Sequence, residues 1–114
     1  MAWQDTIKAA HLAVTDEVSH YWRPRSDRYF VWAEDGVNDL EADDMHVARA
    51  ITGTTDLYTK IEDDPWRDEI ERQFDAAGIS WYRNSVQYED ETGYIHTEWV
   101  WEVLDDGEDQ IRQA

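Results

Sequence analysis

Glu41, Asp43, Asp44 and His46 lie within six positions of one another. Carboxylates beside an imidazole can hold a divalent cation. The stretch fails the EF-hand pattern, because its glycine and its final glutamate stand at the wrong spacing. A chain with 27 Asp and Glu against 10 Lys and Arg also gathers such clusters by chance. The acids are therefore read as solvated rather than metal-bound. Nucleophilic catalysis finds less support. The chain has no cysteine, no Gly-x-Ser-x-Gly elbow and no glycine-rich phosphate loop. Lys60-Ile-Glu62 holds nuclease-type residues in an unpromising order at a strand end. His96 sits mid-strand between polar neighbours, where a cross-strand hydrogen bond is expected. The sequence predicts a non-enzymatic protein without cofactor or metal.

The elements that would carry these residues fit one domain of 114 residues. A first helix is predicted from Asp5 to Tyr21, with Ile7, Ala10, His11, Val14, Val18 and Tyr21 on one apolar stripe and Pro24 closing it. Arg28 to Ala33 reads as a short apolar strand. Glu34 to Asp44 holds six acids and no base, and is expected to be a solvated loop or irregular edge. Val47 to Thr59 is a β-branched strand with a bulge expected near Gly53. A second helix starts at Glu62-Asp-Asp-Pro65, with Asp63 or Asp64 as its cap; Trp66, Ile70, Phe74 and Ala77 line one side, and Gly78 stops it.

A hairpin then runs from Ile79 to Leu104 around the acidic turn Glu89–Gly93. Its second strand alternates, with Ile95, Thr97, Trp99, Trp101 and Val103 on the buried side. The order α-β-β-α-β-β predicts an α+β domain over residues 1–104, with two helices on one face of a mainly antiparallel four-stranded sheet. Residues 105–114 read as a polar, acidic tail. One helical layer leaves a sheet face open. Tyr82, Val86, Tyr88, Tyr94 and Val100 are expected there as a subunit interface.

The formal net charge of −17 argues against direct nucleic-acid binding, because such a surface repels phosphate backbones. It leaves three uses for the acids: solubility or a salty habitat, repulsion of DNA inside an assembly, or mimicry of DNA against a basic partner. No run approaches the roughly 20 apolar residues of a membrane span, so no membrane partner is expected. The N-terminus lacks the basic and apolar regions of a signal peptide.

Two stretches carry a family resemblance. One is Gly53-Thr-Thr-Asp-Leu-Tyr-Thr-Lys60, which follows Tyr29-Phe-Val-Trp-Ala-Glu-Asp-Gly36. The other is Asn84-Ser-Val-Gln-Tyr-Glu-Asp-Glu-Thr-Gly-Tyr-Ile-His-Thr-Glu-Trp-Val-Trp-Glu-Val103. Over about residues 4–104 the chain resembles the tail terminator, or tail completion, proteins of long-tailed phages and prophages. The resemblance implies a ring subunit, commonly hexameric, with the tail tube protein and the head–tail connector as partners. It also implies a protein made in the bacterial host cytoplasm that works in the virion neck. On that reading Glu34, Asp35, Asp39, Glu41, Asp43 and Asp44 face the channel or a partner. The runner-up is an acidic inhibitor that mimics DNA against a host defence nuclease.

Overall fold

The computed structural model describes residues 2–43 and 46–105, and the side chains of these except 39–43 and 46–48. It is α+β. Helices α1 (Trp3–Leu12) and α2 (Trp66–Ala76) accompany strands β1 (Val18–His20), β2 (Arg28–Asp43), β3 (His46–Thr59), β4 (Ser80–Tyr88) and β5 (Ile95–Asp105). The sheet is five-stranded and mixed, in the order β1-β2-β3-β5-β4. Only β1–β2 is parallel, and every other pair is antiparallel.

Three expectations are corrected here: the end of the first helix, the number of strands and the position of the bulge. The first helix stops at Leu12, not Tyr21. The Thr15 hydroxyl accepts the Glu17 N–H at 3.1 Å, and such a local bond competes with helix. The chain then gains a parallel edge by pairing Val18–His20 with Phe30–Trp32, which makes the sheet five-stranded. Of the two forms expected for the acidic stretch, it takes the irregular edge and not the loop, with register shifts between Glu34 and Gly36 and between Glu41 and Asp43. Residues 34–43 continue β2, because the apolar β3 offers a complete ladder from Gly53 to His46. The bulge expected near Gly53 lies in the facing strand instead, where Asp35 is the extra residue between Glu34 and Gly36.

Both helices pack on one sheet face. Ile7, Ala10, Ile70 and Phe74 meet Phe30, Trp32, Ile51, Leu57, Trp99, Trp101 and Val103 in one buried cluster. The alternation along β5 is therefore what the sequence predicts. Gly53 leaves room for this core: a Cβ there would stand 2.4 Å from the Trp101 ring and 2.5 Å from the Ala33 carbonyl oxygen. Buried indole N–H groups such as those of Trp99 and Trp101 need acceptors, and the half-buried Trp81 finds one too. Trp99 donates to Glu71 at 2.8 Å, Trp81 to Asp75 at 2.7 Å, and Trp101 to the Thr55 hydroxyl at 3.0 Å. Carboxylates on α2 thereby latch that helix to β4 and β5.

Asp64 joins the start of α2 to the sheet. Its carboxylate accepts the Trp66 N–H at 2.9 Å, which supplies the predicted cap from just before Pro65. It also accepts Thr59 Oγ1 at 2.7 Å and both arms of Arg28 at 2.8 and 2.5 Å. At the other end, Gly78 adopts φ 72° and Ile79 N–H reaches back to the Phe74 carbonyl at 2.9 Å, a Schellman closure.

Candidate functional site

β2 and β3 form a long ribbon. The two strands pair from Arg28–Thr59 to Asp43–His46, while among the described residues β5 reaches only Arg49. Sixteen residues at about 3.3 Å each account for most of the molecule's 52 Å long axis. The predicted acids lie along this ribbon but do not act as one group. The Glu34 carboxylate turns to the β1 edge, where His20 Nε2 donates to it at 2.7 Å. Burial opposes its charge, yet hydrogen bonds from Tyr21 and His20 hold its carboxyl below the usual range. Asp35 accepts the Thr52 hydroxyl at 2.8 Å. Asp39, Glu41 and Asp43 pair by backbone with Arg49, Val47 and His46. Their side chains, and all of Asp44, lie outside the described residues. Among the described residues, no group of three or more His, Asp or Glu is arranged to hold a metal ion.

The five residues expected to share the open sheet face divide between two sides. Tyr82 stands opposite Val100, on the face away from the helices. Asn84 is the extra residue of a bulge between Arg83 and Ser85, and it shifts the pleat by one. Val86 therefore stands opposite buried Thr97, and Tyr88 opposite Ile95, on the helix side. Tyr82, Val86 and Tyr88 remain 57%, 48% and 64% exposed. They gather along the outermost strand rather than over one face.

Tyr94 does reach the open face, but a loop partly covers that face. Tyr94 meets the rings of Tyr29 and Tyr58 edge-on, and its hydroxyl donates to the Ser26 carbonyl. The Arg23 guanidinium lies 3.8 Å above the Tyr58 ring and donates from Nε to the Tyr29 hydroxyl at 2.8 Å. Burial pushes Tyr58 up to about 12 and raises Tyr29 as well, so both hydroxyls keep their protons. His96 makes the cross-strand bond the sequence predicts, 2.6 Å from Asp56 Oδ1, with its ring stacked on Tyr58.

Sequence reasoning missed the segment from His20 to Asp27. His20 is stacked between Tyr21 and Trp32, and Tyr21 takes φ 77°, a left-handed conformation uncommon outside glycine. Arg23 and Arg25 flanking Pro24 in so acidic a chain were the available signal.

No protein-family model matches this chain, and no curated protein matches its sequence. Among the described residues, no helix is long and apolar enough to cross a membrane.

Proposed function

We propose that this chain is a non-enzymatic subunit of a ring that caps a phage tail tube and joins it to the head connector. The observation that carries this reading is the pair of unlike sheet edges. One edge is β4, nine residues long, with Tyr82, Val86 and Tyr88 exposed along it. The other is the three-residue β1, continued beyond Trp32 by the acidic length of β2, which no further strand covers among the described residues. A long edge bearing aromatic side chains invites pairing, and tyrosine is enriched at interfaces. Two unlike edges suit a head-to-tail contact, which closes into a ring when the rotation allows. The acidic length of β2 is assigned to the channel wall, where like charge keeps passing DNA from sticking. The resemblance over residues 4–104 supports the same role.

The triple substitution Tyr82→Ser, Val86→Ser, Tyr88→Ser tests the edge. These side chains are exposed, so the thermal midpoint should stay within a few degrees of the parent's. Loss of interface anchors should weaken association by about 2 kcal/mol or more, roughly thirtyfold. Sedimentation with purified tail tubes reads this out. A folded triple variant that assembles like the parent contradicts the edge assignment.

A second reading rests on one observation. Five of the predicted acids (34, 35, 39, 41 and 43) lie in a single strand instead of a loop. A strand carries charges in a row at about 3.3 Å per residue, which suits an inhibitor that mimics DNA. Tight, salt-sensitive binding to a basic nuclease would favour this reading over the ring.

A further inference from the structure

The loop after β1 builds a pocket whose chemistry runs against the rest of the surface. Arg23, Pro24 and Arg25 line one part of it, and Tyr29 and Tyr94 line another, around about 600 Å³. Of the ten Lys and Arg in the chain, two therefore meet in one cavity.

Arg23 is held in place before any ligand arrives. Its guanidinium rests on the Tyr58 ring, and its Nε–H is taken by the Tyr29 hydroxyl at 2.8 Å. The nearest carboxylate to its terminal nitrogens is Glu89, at 3.9 Å, beyond hydrogen-bonding distance. Those terminal N–H groups remain available. Tyr29 is 1% exposed and uses its oxygen as an acceptor, so its own proton still needs an acceptor. Arg25 is exposed and has no partner among the described residues. Three donor side chains, two guanidinium groups and one phenol, thus border one cavity, and Tyr94 fixes the loop by donating to the Ser26 carbonyl.

We propose that this pocket is a binding site for a single carboxylate group. Arginine's fork matches the two oxygens of a carboxylate, and charge-assisted bonds of this kind are the strong ones. A multiply charged anion fits less well. Asp27 lines the same cavity, although Lys60 engages it at 3.3 Å, and Glu89 stands beside Arg23. The net charge of −17 adds long-range repulsion that grows with the ligand's charge. This site stands apart from the ring proposal and does not depend on it.

The experiment is a two-dimensional NMR titration of the full chain at fixed ionic strength, with sodium acetate, sodium phosphate and sodium chloride as separate probes. Acetate should shift the amides of residues 23, 25–29 and 94 along saturating curves, with a Kd on the order of millimolar. Chloride should give no saturation, and phosphate should bind more weakly than acetate. Arg25→Gln should weaken acetate by roughly tenfold, since its lost bonds are charge-assisted. That variant removes an exposed side chain without a described partner, so its thermal midpoint should match the parent's. Tyr29→Phe should weaken acetate as well. An absence of saturable acetate shifts overturns the site. Unaltered acetate affinity in a folded Arg25→Gln overturns it too. Tighter binding of phosphate than of acetate overturns the carboxylate assignment.

Discussion

Replacing Asp64 with alanine is expected to lower stability by about 2–4 kcal/mol, somewhat less than for a fully buried ion pair because the Arg28 side chain is 31% exposed. Asp64 is 2% exposed, and its two oxygens accept from Arg28, Thr59 and the Trp66 N–H. Removing the carboxylate leaves Arg28 without its partner and Thr59 and the start of α2 without acceptors. The Arg28 guanidinium keeps only its position 3.6 Å over the Trp66 ring. A cation over tryptophan contributes about 0.5–2 kcal/mol, less than the lost network. Asp64→Asn should fall between the two, because an amide keeps one acceptor but no charge. Urea unfolding of the three proteins checks the order. A loss under about 1 kcal/mol in the alanine variant contradicts the role assigned to this network.

The second large effect is acid lability centred on His11. This imidazole is 0% exposed, between α1 and the sheet. Its Nδ1 faces the Ile7 carbonyl at 2.7 Å and must donate there, because a carbonyl only accepts. Nε2 then accepts the Thr55 hydroxyl at 2.8 Å, and Thr55 in turn accepts the Trp101 indole. Every atom of the neutral ring is satisfied, whereas a second ring proton would find the site occupied. Burial lowers its pKa from 6.5 to about 4, against a smaller opposing effect of the Ile7 carbonyl.

The sign follows from proton counting. Between pH 6.5 and about 4 the unfolded chain binds a proton at His11 that the folded chain refuses. Stability is therefore full above 6.5 and is lost as pH falls towards 4. The shift predicts a loss of about 2–3 kcal/mol from this group between pH 7 and pH 4.5. Asp64, held below the ordinary carboxylate range by its donors although burial opposes its charge, adds acid lability only at lower pH. His11→Gln should start less stable but lose less on acidification, since glutamine does not titrate. Equal pH slopes for the variant and the parent sink this account.

The sequence made local features legible and hid features set by distant pairing. The alternation from Ile95 to Val103 placed Trp99 and Trp101 in the core, and the run from Trp66 to Gly78 gave α2 and its stop. Each depends on nearby residues and a single period. The acidic half of β2 could not be read this way. Its composition allows a loop or an irregular edge, and only its register with β3 decides for the edge strand. The bulge at Asn84 was equally hidden, and it moves Val86 and Tyr88 to the opposite face from Tyr82. β1 continued an apolar spacing that looks helical, but its backbone bonds go to β2. The pocket beneath Arg23 joins residues 23–29 to Tyr94, a closure over 60 positions that no local motif announces.

The central claim is a role in closing the tail and joining it to the head. Electron microscopy of particles from a phage or induced prophage with this gene deleted tests it most directly. The ring-subunit reading predicts tails of uncontrolled length or full heads without tails, restored when the intact chain is supplied in trans. Normal, fully joined virions from the deletion would contradict it.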